Sequence, residues 1–219
     1  MGALFADGQD RDGDDVRWAD RAAPGPAAWR GLLAEPALAR LLGRPLVDDA
    51  LDALDRLVPP EIAVHSLRTF LLADAYARRH GVGYDAPGLL AAAAFHDTGL
   101  TGAAAGRGPF PRRSAAVLDR FLVAHAVGEA RRRALVRAVS GHMRPWPGRG
   151  AGTEARLLHF GAWLDVTGRG GRQVPGERRR LAALAPTPWF PLTFTVRLAA
   201  CRLHRTAPGP SAAGRRTTA

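Results

Sequence analysis

The chain has 219 residues, 47% of them hydrophobic, and a formal net charge of +11, which suits one domain with a real core and excludes a wholly disordered protein. No apolar run reaches eighteen residues and no basic-then-apolar segment opens the chain, so neither a membrane span nor a secretory signal is expected and a cytoplasmic location is. The one cysteine, Cys201, cannot close an internal disulfide, which agrees with a reducing compartment, and it reads as a small buried hydrophobe.

All 31 basic residues are arginine. With abundant Ala, Gly and Pro, this points to a coding bias rather than to selection for an acidic partner. The charge is uneven, because Asp7, Asp10, Asp12, Asp14, Asp15 and Asp20 outweigh Arg11 and Arg17 at the start and leave the rest strongly basic. A basic body can attract nucleic acid through its field. The arginines, however, fall in short clusters such as Arg131–Arg133 and Arg178–Arg180, without interleaved aromatics that stack on bases. Solvated helix faces are therefore expected, and a nucleic-acid partner is not.

Residues 1–16 are Asp- and Gly-rich without apolar periodicity and read as a flexible acidic segment. Asp10–Asp15 superficially has the look of a calcium loop but lacks its ligand order and closing Glu. A single all-α domain is expected over 17–205, with its motif region at 60–168, followed by a Pro/Gly/Ser-rich disordered tail at 206–219. Pro59-Pro60-Glu61 opens a helix that Gly81 closes, with Ala63, Leu67, Phe70 and Leu71 as its apolar stripe. Asp85 is a candidate N-cap for the next helix, which runs through Leu89, Leu90 and four alanines to His96-Asp97 and stops near Gly99. Further helices are expected around 113–127, 129–141, 153–167, 177–184 and 190–204. There are no useful strand-like runs and no internal repeat.

Within this pattern four residues pose a burial problem. His65 lies in the first turns of its helix, and His96-Asp97 end a helix with a small-apolar body. Asp165 lies near the end of another helix. Asp97 shares a face with Leu90, Ala93 and Ala94, and Asp165 with Leu158 and Ala162, so both carboxylates point toward the core. An ionised carboxylate buried without a partner costs several kcal/mol. An arginine, a dense hydrogen-bond network or a cation must compensate. A divalent ion suits imidazole and carboxylate ligands, with zinc, manganese or iron(II) as the candidates. Adjacent residues on a helix diverge by about 100°, so His96 and Asp97 would flank an ion lying over the helix end. Ala91–Ala94 and Gly161 would let the ligand helices approach closely. Taken singly, each residue also has an ordinary reading: a helix cap, a satisfied core histidine, a chance His-Asp pair, or a surface aspartate before Gly168.

The order His65, His96-Asp97, Asp165 resembles the HD superfamily of metal-dependent hydrolases. More narrowly, HSLRTF at 65–70 and AAAFHDTGLT at 92–101 are similar to HD proteins of the cyanamide hydratase family. LVRAVSGHM at 135–143 and LLHFGAWLDVTG at 157–168 resemble that family's later helices. The similarity covers Pro60 to Gly168, about half of the chain, and its HSLR and FHDTGL stretches are the most specific. The resemblance implies an HD-type helical bundle and one divalent metal ion, usually Zn2+ or Fe2+, with Mn2+ an alternative. The ligands would be His65, His96, Asp97 and Asp165, and the nucleophile a metal-activated water. It implies a small-molecule substrate, with hydration of a nitrile-like carbon as in the conversion of cyanamide to urea. A homo-oligomer is compatible with it.

The chain departs from that family at 109–116, PFPRRSAA, where Pro111 stands in place of an acidic residue and Arg112 and Arg113 follow. These arginines, with Arg68, are candidates for holding an anionic substrate, and a nucleotide or other phosphoester is the alternative substrate class. A non-catalytic regulatory or binding module is the alternative of another kind. His142, at a helix end, is a candidate general acid or base, or a histidine favoured there by the helix dipole. Arg68, three residues after His65, either pairs a buried carboxylate or contacts substrate. His125 and His159 read as ordinary surface or core residues, and Trp146, Trp163 and Trp189 as core or pocket wall.

Overall fold

The computed structural model describes residues 27–102 and 108–206. The segment expected to be flexible, 1–16 with its Asp10–Asp15 stretch, and residues 207–219 of the expected tail lie outside these. In chain order the helices are α1 (Ala27–Arg30), α2 (Pro36–Ala39), α3 (Pro45–Leu57), α4 (Pro60–Arg79), α5 (Ala86–Phe95), α6 (Phe110–Ala124), α7 (Glu129–Gly141), α8 (Thr153–Thr167), α9 (Glu177–Leu184) and α10 (Phe190–Thr206). Short 3-10 turns lie at Gly31–Ala34, Thr98–Leu100 and Gly171–Gln173, and no strand occurs among the described residues. The fold is all-α, as the periodicity requires. None of these helices is long and apolar enough to cross a membrane.

α4 is the spine of the bundle. Of its 20 residues all but four are buried, so it is enclosed on every side rather than laid against a core by one stripe. α8 and α5 pack along it, and α1, α3, α9 and α10 also touch it. α5 is buried from Gly88 to Phe95. α3, by contrast, is amphipathic, with Val47, Ala50, Leu51 and Leu54 inward and Asp52 and Asp55 exposed.

Local chemistry sets the helix ends that aim the site. Asp85 caps α5, its carboxylate accepting from the Gly88 N–H at 3.1 Å. α4 ends in a Schellman motif. Gly81 sits at φ +63, the Val82 N–H donates to the Ala77 carbonyl at 2.8 Å and the Gly81 N–H to Arg78 at 3.5 Å. α6 occupies 110–124 rather than 113–127. Pro111 fits the first turn of a helix, where its missing N–H costs nothing, so the helix begins before it. The same helix ends early because Ala126 adopts φ 52 and lets Val127 N–H reach the Leu122 carbonyl at 3.0 Å. With no glycine there, nothing in the sequence marked that stop.

α4 and α8 meet backbone to backbone. A Cβ built on Gly161 would stand 2.1 Å from the carbonyl oxygen of Thr69, so only glycine lets the two backbones meet. This contact brings Asp165, one turn further along α8, against His65 and Arg68 of α4. The clustered arginines mostly find partners nearby: Arg131 pairs with Asp85, Arg132 with Asp119, Arg133 with Glu129 and Arg180 with Glu35.

Candidate metal centre

His65, from the second turn of α4, meets His96 and Asp97, which follow the last turn of α5. All three are buried, and each offers one ligand atom within 4.8 Å of the others. His142, just past α7, joins from the side with Nε2 at 3.4 Å from Asp97 Oδ1. It too is buried.

The hydrogen bonds of the three rings fix where their protons are. His96 Nδ1 donates to the Ala93 carbonyl at 2.7 Å, and His142 Nδ1 to the Val139 carbonyl at 2.7 Å. Both partners are carbonyl oxygens, which can only accept, so each Nδ1 carries the proton. His65 Nδ1 donates to Asp165 Oδ2 at 2.7 Å. In its neutral form each ring therefore turns an Nε2 lone pair inward. His65 Nε2 faces His96 Nε2 at 3.2 Å, and Asp97 Oδ2 lies 3.3 Å from His96 Nε2 and 3.7 Å from His65 Nε2. Both oxygens of Asp97 and Nε2 of His142 are buried without a hydrogen-bond partner. Four groups with only acceptor atoms to offer converge on one spot. Such a cluster is stable only around a cation, either a proton or a metal ion.

The titration of the cluster follows. Burial pushes His96 down, but the neighbouring Asp97 carboxylate outweighs it and raises the imidazole above its ordinary range. Burial raises Asp97, yet the charge of His96 and the nearby His142 imidazole hold the carboxyl well below the usual carboxylate range. His142 is lowered, chiefly by burial. The cluster thus favours a proton on His96 beside an ionised Asp97, and a metal ion binding there would compete with protons.

The depressed His142 gives a signed prediction. As pH falls through 6.5, the unfolded chain takes up a proton at this residue and the folded chain does not, so acid weakens the fold through it. His96 titrates in the opposite sense, so the readout is a difference. The stability of the wild type minus that of His142→Gln, from denaturant melts, should fall between about pH 7.5 and 5.5. A difference that grew on acidification would contradict this placement.

Of the four residues expected as ligands, the structure converges three. Asp165 stands behind His65 instead. Its Oδ2 takes the His65 Nδ1 proton, and its Oδ1 takes a short hydrogen bond from Arg68 NH2. The α9 residue Arg178 donates to its backbone carbonyl at 3.0 Å. Burial raises Asp165, but the hydrogen bond and charge of His65, together with Arg68, lower it on balance. It is placed to orient His65, as carboxylates behind metal-bound histidines do. Arg68 pairs a buried carboxylate, and its other nitrogen reaches Thr187 Oγ1 at 3.3 Å.

The cluster opens on a cavity of about 140 Å³ lined by His65, His96, Asp97 and His142 on one side. The other side is Met143, Ala162, Trp163, Val166 and Phe194, with Thr167. Arg112 and Arg113 are not in this cavity. Arg112 is exposed, and Arg113 donates to the Gly99 carbonyl at 2.6 Å and contacts Cys201 Sγ at 3.0 Å. The same α6 start that puts Pro111 inside the first turn rotates both arginines off the site, while Phe110 packs edge-on to His142. Arg68 lies beneath the cluster and does not line the cavity either. Phe190 stacks on His65, with ring centroids 4.6 Å apart. The α10 aromatics were invisible as site residues in the sequence, because apolar residues at helical spacing signal only a core. His125 pairs with Asp49 at the surface.

In comparisons with known proteins, no family model and no curated protein matches the chain.

Proposed function

We propose that the protein is a metal-dependent hydrolase or hydratase of the HD type, acting on a small neutral molecule. The observation that carries this reading is the buried meeting of acceptor atoms from His65, His96 and Asp97, with the two unpartnered oxygens of Asp97 at its centre. These three residues would hold a zinc or iron(II) ion, with manganese as the alternative. The ion would supply Lewis acidity and lower the pKa of a water to about 7. The buried Nε2 of His142, a lone pair aimed at Asp97 and the cavity, would hold the proton lost by that water. Asp165 and Arg68 would keep the His65 ring turned with Nε2 inward.

The cavity favours a neutral substrate over an anionic one. It is small and largely apolar and has no arginine in its lining, so a dianionic phosphoester would enter without a counter-charge. An uncharged, narrow substrate such as cyanamide or a small nitrile fits it, and addition of water across the carbon–nitrogen bond needs the groups present. Chain loaded with Zn2+, Fe2+ or Mn2+ should convert cyanamide or a small nitrile to the urea or amide. His142→Ala should lower that rate by about 10²–10⁴-fold, the usual worth of a general acid or base. Release of phosphate from a nucleotide panel, with no hydration of neutral nitriles, would overturn the reading.

A further inference from the structure

On the far side of Trp163 lies a second, larger cleft of about 430 Å³, a size typical of small-molecule sites. Its walls come from α4, α8 and the Pro145-Trp146-Pro147 loop. Four aromatic rings line it: Tyr76, Trp146, Phe160 and Trp163. Trp146 is 69% exposed, a large apolar surface left in water. Tyr76 and Phe160 lie against each other with centroids 4.4 Å apart.

The cleft is cationic as well as aromatic. Arg156 and Arg169 line it and no acidic side chain does. The Arg169 guanidinium stands 5.0 Å from the Trp146 ring centroid and 5.9 Å from that of Trp163, so two indoles hold it by cation–π attraction. Neither arginine has a carboxylate partner among the described residues. Arg156 and Thr153 belong to the first turn of α8, whose N-terminus has no side-chain cap; the carboxylate of that turn, Glu154, accepts from the Asp85 N–H at 3.0 Å and does not line the cleft. His159, stacked on Trp163, adds no charge, since burial holds it below its ordinary range, as does the charge of Arg169.

We propose that this cleft binds a planar aromatic ligand that carries a negative charge. The ring lies against the exposed face of Trp146 and the neighbouring aromatics, and the anionic group meets Arg169 and Arg156. Stacking on aromatic faces is worth more once water is excluded, and a charge-assisted bond to a guanidinium is among the stronger polar contacts. An aryl carboxylate and a nucleotide share this chemistry. The cleft uses none of the candidate metal ligands, so its occupancy is read separately from the proposed reaction.

The test titrates the full chain, as purified, with benzoate and with adenosine 5′-monophosphate, following tryptophan fluorescence and heat. One of the two should bind saturably at one equivalent, and which one does so separates the carboxylate from the nucleotide. Arg169→Gln and Trp146→Ala should each weaken binding by at least about tenfold. Both residues are exposed, so these variants should fold, as circular dichroism would verify. Where benzoate is the ligand, neutral benzamide should bind at least about tenfold more weakly. Failure of both probes to bind saturably, or binding indifferent to both substitutions, would overturn the proposal.

Discussion

Asp165→Ala should lower the free energy of unfolding by about 3–5 kcal/mol, the cost of breaking a buried ion pair from one side. Asp165 and Arg68 are each 5% exposed and His65 is 2% exposed. Removing the carboxylate strands a guanidinium whose Nε already lacks a partner and leaves it only the 3.3 Å contact to Thr187. It also frees the His65 ring to turn. The effect has a defined pH dependence. The folded-state pKa of Asp165 is depressed below 3.8, so its contribution is present above that value and is lost as pH falls through the folded pKa. Denaturant melts at neutral pH should show the full loss, and the gap between wild type and variant should close in strong acid. A loss below about 0.5 kcal/mol at neutral pH, as for a surface aspartate, would mean that the pair is not buried as described.

Asp97→Asn should weaken divalent-metal binding by at least about 100-fold, beyond the 10–100-fold typical of residues that only support a ligand. The substitution keeps the shape but removes the charge, and the new amide N–H₂ would point donors at a centre built of acceptors. His96→Ala should act similarly, by deleting the lone pair that faces His65 Nε2 at 3.2 Å. Competition against a chromophoric chelator measures both. Affinity within threefold of wild type for Asp97→Asn would remove this residue from the ligand set.

Much of the fold was legible because each boundary rested on backbone chemistry readable from sequence. Gly81 closed α4, Asp85 capped α5, and the 129–141, 153–167 and 177–184 helices appear at those positions. The α6 register was not legible, since Pro111 is as compatible with a helix's first turn as with a break before it. The missed left-handed Ala126 has the same root, a backbone state carried by a residue with no preference for it. The site divided similarly. The need to compensate Asp97 and Asp165 followed from helix faces alone, but which compensator each obtained did not. Arg68 and His65 share Asp165, whereas Asp97 is left to the histidines. Helix periodicity places residues on a face and says nothing of rotamers, so it could not tell a carboxylate in the cluster from one behind it. The resemblance ended at Gly168, and the α10 aromatics that cover His65 lie beyond it.

Metal content decides the matter most directly. The chain should hold one equivalent of zinc, iron or manganese by elemental mass spectrometry, either as purified or after loading and dialysis. Loading should release protons, more of them as pH falls, because the cation competes with the proton that Asp97 favours on His96, seen as a buffer-dependent binding heat. Asp97→Asn should hold much less than one equivalent under the same dialysis. A wild-type chain that retains no stoichiometric divalent ion after loading, with Asp97→Asn and His96→Ala indistinguishable from it, would show that the cluster is a proton-bridged core and not a metal centre.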